Sequence, residues 1–327
     1  MPKKNFTQEL EGALREAYMK GKRCNISLPD PRHFRLSGNT QTVRLSLTEE
    51  AVVSNMQDDV AAFEGWLLAL KAWGCIENAE LHWDTPGDDG GGDYQRFLYR
   101  VTWFEKLFPS WFRVAQVCRA NLNGSKVDGS LFVNTAASIP KDSPHKGSKE
   151  ARLEMYLADS GWLAATFALE KVGRQFPVGL FKDTVSATTK VFTGGKSAID
   201  LVGINEKTNC LWIFELKAKG NQPMGIVSEL FFYVAFMRDV IKGNFKHKDD
   251  QRTFDGRLHH GELEKIAEIR GCLLAHKFHP LLDDNRVVEQ LNIALWPDGI
   301  NVSFCAEKLP DILDYVVSNE GGTGTSA

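Results

Sequence analysis

Two acids and one lysine, in the segment 194–239, have the types and the spacing to do chemistry together. An apolar run, Ala198-Ile199-Asp200-Leu201-Val202, carries one acid. A second run, Leu211-Trp212-Ile213-Phe214-Glu215-Leu216-Lys217, carries an acid and a lysine two residues apart, and a polar turn at 205–209 joins the two. Side chains alternate across a strand, so Glu215 and Lys217 share one face while Phe214 and Leu216 point the other way, into core. A hairpin of this length sets Asp200 beside Glu215. Neighbouring carboxylates repel, and burial makes the repulsion worse. A divalent cation removes that penalty, and oxygen donors of this kind suit Mg²⁺ or Mn²⁺. Lys217 beside the cation would orient an attacking water or stabilise charge on a phosphorus centre.

Other chemical signals are weaker. Thr193-Gly194-Gly195-Lys196-Ser197 imitates the end of a phosphate-binding loop, but Lys190 stands where that pattern needs glycine, and a strand rather than a helix follows. Lys196 remains a candidate phosphate contact near Asp200. His276 and His279 lack a third metal ligand, and His259-His260 fall in a polar stretch. The six cysteines (24, 75, 118, 210, 272 and 305) contain no C-x-x-C pair, which argues against a zinc ribbon or a disulfide framework. Reduced, mostly buried thiols in a cytoplasmic protein are the expectation.

Asp200, fourteen intervening residues and then Glu215-Leu216-Lys217 resemble the PD-(D/E)xK nuclease superfamily, which includes restriction endonucleases and recombination exonucleases. Ile199 stands where the family carries proline. The resemblance spans roughly residues 150–300. It implies a restriction-endonuclease-like α/β fold, a four-stranded mixed sheet flanked by helices, whose first helix often supplies a further metal-binding acid. Glu154 fits that role best, with Glu150 as the alternative. The family's exonuclease branch has a Gln-x-x-x-Tyr pair on the helix after the lysine strand; here Glu229 and Tyr233 hold those places, one turn apart. Glu229 is expected either to approach the site, as a distant ligand or a partner of Lys217, or to be a solvated acid at a helix start.

The resemblance thus implies a Mg²⁺- or Mn²⁺-dependent nuclease. Asp200, Glu215 and Lys217 would be catalytic, Glu154, Asp200 and Glu215 would hold metal, and Glu229, Tyr233 and Lys196 would surround them. Nucleic acid is the expected partner, DNA ahead of RNA, in a prokaryotic defence or restriction setting, with a homodimer or partner proteins of such a system. The alternative is an inactive nuclease-like module that binds nucleic acid or a protein.

The elements that must position these residues read as two domains. Residues 1–135 form an α+β domain, 136–149 a linker, 150–318 the nuclease-like domain and 319–327 a disordered tail. Residues 6–20 and 57–73 have helical periodicity, and 24–28 and 42–47 alternate like strands. The aromatics between 94 and 114 are expected in the core rather than stacked on bases. A helix starts near Glu150, and another at 224–241 turns Ile226, Val227, Leu230, Phe231, Val234 and Met237 toward the sheet. Residues 243–262 read as a mobile polar excursion. Strands are expected at 269–275 and 291–296, with a turn at 297–299 closing the domain as a hairpin.

Composition excludes other classes. Apolar residues make up 43% and charged residues 25% of the 327, the balance of a globular chain. There is no run of eighteen apolar residues, and no apolar stretch follows the basic start, so neither a membrane span nor a secretory leader is expected. The net charge of −3 is uneven: residues 141–260 hold 18 Lys and Arg against 14 Asp and Glu. That local balance favours polyanion binding only mildly, because nucleases grip phosphate with patches.

Overall fold

The protein is described from a computed structural model that covers residues 6–18, 26–87, 91–133, 148–192, 198–246, 260–297, 299–311 and 313. The 136–149 linker lies outside these residues except at its last two positions. So do residues 247–259 of the polar excursion at 243–262, the mimic at 193–197 with Lys196, and the 319–327 tail.

The fold is mixed α/β, with open mixed sheets flanked by helices. Its first half runs α1 (Phe6–Tyr18), β1 (Phe34–Gly38), β2 (Thr42–Leu47), α2 (Glu49–Val53), α3 (Phe63–Ala72), β3 (Asn78–Trp83), α4 (Gly91–Leu107), β4 (Phe112–Val114), α5 (Arg119–Asn123) and β5 (Phe132–Val133). Strands β1 to β4 form one sheet in sequential order, antiparallel between β1 and β2 and parallel thereafter. The second half runs α6 (Lys149–Asp159), α7 (Trp162–Phe167), β6 (Lys171–Pro177), β7 (Leu180–Phe181), β8 (Ala198–Asn205), β9 (Cys210–Lys217), α8 (Gly225–Ile241), α9 (His260–Leu263), β10 (Glu268–Ala275), α10 (Arg286–Asn292) and β11 (Asn301–Lys308). Its sheet has the order β11-β10-β9-β8-β6, while β5 pairs with β7. Strands β6, β8 and β9 are antiparallel neighbours; β9, β10 and β11 are parallel.

Side-chain alternation gives that sheet two dry faces. Trp212, Phe214 and Leu216 pack with Leu153, Leu157 and Leu163 of α6 and α7. Leu211 and Ile213 face the opposite way and pack with Leu230 and Val234 of α8. Glu215 and Lys217 therefore point toward α8.

Helix α8 is buried on every side from Gly225 to Val240. A helix apolar all round needs cover all round. The sheet supplies half of it, and α3 and the aromatics of α4 supply the rest. One hydrophobic core thus runs through both halves of the chain, on either side of the 136–149 segment. Tyr94, Phe97, Tyr99, Trp103, Phe104, Trp111 and Phe112 are all buried in it, as expected of them. A buried Arg100–Glu64 pair ties α4 to α3, and Arg100 Nη2 also donates to Ala61 O at 2.8 Å. Among the described residues five cysteines are free thiols, and four of these are buried.

The halves pack closely at Gly225, where an added Cβ would stand 2.2 Å from Gln57 O, a backbone atom that cannot swing aside. Gly225→Ala should destabilise the protein by about 1–3 kcal/mol through overpacking. An unchanged urea midpoint would show that residues 55–59 yield freely.

Several sequence expectations need correction. Helix α3 begins at Phe63 rather than near residue 57, because side chains upstream compete for backbone N–H groups. Asn55 Oδ1 accepts from Gln57 N at 3.3 Å and Asp59 Oδ1 accepts from Met224 N at 3.3 Å. Residues 26–28 form no strand: Ile26 O accepts from Arg15 Nε and Nη2 at 3.0 and 2.8 Å, and Leu28 N donates to Glu11 Oε1 at 3.0 Å. The strand expected at 291–296 does not form: residues 291–292 end α10, whose buried face is Val287, Val288 and Leu291, and 293–296 are a turn and irregular chain. Nor does a hairpin close the domain. Strand β11 pairs parallel to β10, which requires a crossover, and α10 provides it.

Candidate active site

The site opens where β8 and β9 part. Their ladder runs from Asn205↔Cys210 to Leu201↔Phe214 and stops one step short of Asp200 and Glu215. At the fork Asp200 Oδ2 accepts the Leu216 N–H at 3.0 Å, so the aspartate takes over a bond the strand would otherwise make. From there β9 continues against β10 alone, pairing Glu215 with Leu273 and Lys217 with Ala275. Asp200, Glu215 and Lys217 are thus brought together as the spacing implied.

Lys217 Nζ lies 2.6 Å from Glu215 Oε1 and 2.8 Å from Glu229 Oε2, and all three side chains are at most 3% exposed. Of the two expectations for Glu229, the structure places it at the site, bonded to Lys217. Gln57 Nε2 then donates to Glu229 Oε1 at 2.5 Å, so the first half of the chain grips the acid from behind. Tyr233, one turn further on, is buried and lines the same cleft, whose volume is ≈ 320 Å³.

Helix α6 brings two more acids. The Ser148 side chain caps its N-terminus by accepting from Ala151 N. Glu154, 5% exposed, accepts from Gln175 Nε2 at 2.8 Å and stands 3.9 Å from Arg174 Nη1. Glu150 Oε2 accepts the Ala218 N–H at 3.1 Å, holding the chain just beyond Lys217. Glu154 and Glu150 both lie within electrostatic reach of Asp200, and Glu150 also clasps the backbone beyond Lys217.

Gln175 sits in β6 between the pairs Arg174↔Leu201 and Phe176↔Ile199, opposite Asp200, with a φ of 55°. Left-handed backbone at a non-glycine residue within a strand is strained by about 1–3 kcal/mol, and such residues gather at functional sites.

Neither family models, curated proteins nor solved structures match this chain. The site rests on its own geometry.

Burial and then the Asp200 charge push the Glu154 carboxyl up to about 8. Burial also pushes Asp200 up to about 7, against the pull of Lys217. Glu215 is raised well above the ordinary carboxylate range by burial, Asp200 and Glu229, and Tyr233 is raised by burial and then the same cluster. Burial alone would lower Lys217, but Glu215, Glu229 and Asp200 outweigh it and hold the ammonium charged. The cluster holds more carboxyl groups than Lys217 alone can pair, and the raised carboxyls answer by holding protons.

Does this donor set fit a divalent cation? Glu215 Oε2 and Glu154 Oε1 are buried acceptors with no hydrogen-bond partner, and buried polar atoms rarely go without one. Hard oxygen donors with excess negative charge suit Mg²⁺ or Mn²⁺. Among the described residues no three His, Cys, Asp or Glu side chains already stand in a coordinating arrangement. In this state the Lys217 ammonium is the counter-ion for Glu215 and Glu229. Asp200, Glu215 and Glu154 are the residues that would hold the cation.

The raised carboxyls have a measurable consequence. Folded Glu154 and Asp200 keep protons that the unfolded chain gives up near its ordinary values of 4.5 and 3.8. Metal-free stability is thus fully present below about pH 4 and falls as pH rises toward about 7 to 8, by up to about 1.4 kcal/mol per pH unit for each group. Metal binding requires the deprotonated forms, so stabilisation by Mg²⁺ should grow over the same window. Thermal melts with EDTA and with Mg²⁺, taken across that window, test this. Curves that stay parallel would contradict it.

Sequence reading missed Gln57, Arg96, Arg174 and Gln175. None carries a local signal, because each reaches the cleft through packing between distant segments. His276 and His279 do not form a metal site: His279 Nδ1 caps the turn at Pro280–Leu282 by accepting from Leu281 N, and burial pushes its ring down to about 4.

Proposed function

We propose that the chain is a divalent-metal-dependent nuclease hydrolysing phosphodiester bonds, with DNA as its substrate. The observation that carries the reading is the convergence of Asp200, Glu215 and Lys217 at the β8–β9 fork, with buried carboxylate oxygens left unsatisfied. The order of elements adds support. An acid-bearing helix (α6), three antiparallel strands (β6, β8, β9), a helix (α8) and a parallel strand (β10) follow in an order compatible with the PD-(D/E)xK resemblance, although β11 makes the sheet five-stranded where four strands were expected.

In this reading a bound cation supplies charge for the phosphoryl oxygens and a more acidic water. The protein's own residues do the rest. Asp200 and Glu215 present oxygen ligands, Glu154 completes the set, and Lys217 offers N–H donors to the attacking water or the developing phosphorane. Glu229, held by Gln57, keeps Lys217 charged and aimed. Attack forms one P–O bond and breaks another, and the leaving alkoxide takes up a proton.

Plasmid, linear duplex and single-stranded DNA incubated with and without Mg²⁺ test the proposal. Metal-dependent cleavage that disappears in Asp200→Asn and Glu215→Gln is the expected result. Binding without cleavage at any divalent ion would make the chain a nucleic-acid-binding module instead. No helix among the described residues is long and apolar enough to cross a membrane.

A further inference from the structure

The first half of the chain forms a wall of the cleft as well as a cover for α8. Asn55, Gln57, Asp93 and Arg96 line that wall, facing Asp200 and Glu229. Arg96 stands on α4 and is 5% exposed. Its Nη2 lies 2.5 Å from Asp93 Oδ1 across one helical turn, and its guanidinium carbon lies 5.9 Å from the centre of the Phe232 ring on α8. Asp93 and the ring therefore fix where the guanidinium points.

A phosphodiester entering a carboxylate-lined cleft is repelled unless a fixed cation meets its non-bridging oxygens. Lys217 is committed at the reacting centre, bridging Glu215 and Glu229, and is not among the residues that line the cleft wall, whereas Arg96 is. Arg174 lies on the far side, next to Glu154. Arg96 is the cation on the wall opposite the acids, and a guanidinium offers parallel N–H groups that match two phosphate oxygens.

We propose that Arg96 binds the phosphodiester backbone of the substrate, so that the first half of the chain supplies the phosphate grip and the second half the hydrolytic groups. This rests on the nuclease reading above.

The test compares the wild-type protein with Arg96→Met and Arg96→Lys, using a short fluorescent DNA duplex and the matching single strand, with Ca²⁺ in place of Mg²⁺. Arg96→Met should weaken binding by about 10- to 100-fold, the value of one or two charge-assisted hydrogen bonds. The dependence of log K on log salt should also become shallower by about 0.7–0.9, the signature of one lost phosphate contact. Arg96→Lys should recover part of the affinity, Mn²⁺ affinity should stay close to wild type in both, and Arg96→Met should melt lower because Asp93 loses its Arg96 partner, so the salt slope is the deciding readout. A merely structural arginine would lower the melting temperature and leave the salt slope unchanged, which overturns the proposal. Wild-type protein that cleaves DNA while Arg96→Met keeps its affinity and slope removes Arg96 but leaves the nuclease standing. Wild-type protein that neither cleaves nor binds nucleic acid removes both.

Discussion

Under the proposed nuclease activity, Lys217→Ala should lower turnover on DNA by about two to four powers of ten, the range lost when a group acting on the nucleophile or the transition-state charge is removed. Two further effects follow from its surroundings. Lys217 is the counter-ion of Glu215 and Glu229, both within 2.8 Å of its ammonium. Removing one partner of a buried ion pair costs about 3–5 kcal/mol, so the metal-free variant should melt well below wild type. A divalent cation would replace the missing charge, so Mn²⁺ should stabilise the variant more than it does the wild type. Arginine is a poor substitute, since its wide planar fork cannot occupy a space shaped around an ammonium. Plasmid cleavage at the wild-type rate by Lys217→Ala would show that the lysine only balances charge.

Removing an acid should have the opposite stability signature. Glu215→Gln keeps shape and discards one charge from a repelling set, so divalent-cation binding and turnover should be lost while metal-free stability holds or rises slightly. Glu229 still pairs with Lys217 in that variant. Asp200 needs a gentler change than alanine, because Oδ2 accepts the Leu216 N–H and its loss would leave a buried donor unsatisfied, at about 1–3 kcal/mol. Asp200→Asn retains an acceptor oxygen and separates the two roles. Calorimetry giving wild-type Mn²⁺ affinity for both variants would overturn the assignment of Asp200 and Glu215.

The second half of the site was legible because its logic is local. Two-residue alternation puts Glu215 and Lys217 on one face, a short turn returns β9 to β8, and a seven-residue connection, 218–224, brings α8 back over Lys217. The same locality explains the errors. The run at 291–296 is too short to distinguish strand from helix end, and Pro297 suggested a hairpin where α10 had already made the crossover. The left-handed backbone of Gln175 has no signature in a non-glycine residue. Gln57 meets Glu229 across 172 positions of sequence, a contact that only the packing of α3 against α8 creates.

Helix α8 lies in the dry interior from end to end, which bears on how the molecule opens. Its peptide hydrogens have no local route to water, so they should exchange with deuterium only when the whole chain unfolds. The carboxylate of Glu229 and the phenol of Tyr233 ride on that helix and inherit its rigidity. A fragment beginning at residue 150 would leave one flank of α8 bare: Phe231 and Phe232 would lose their ring contacts with Phe104 and Tyr99. Such a surface favours self-association over solution, so the second half of the chain is expected to stay soluble only with residues 26–133 attached.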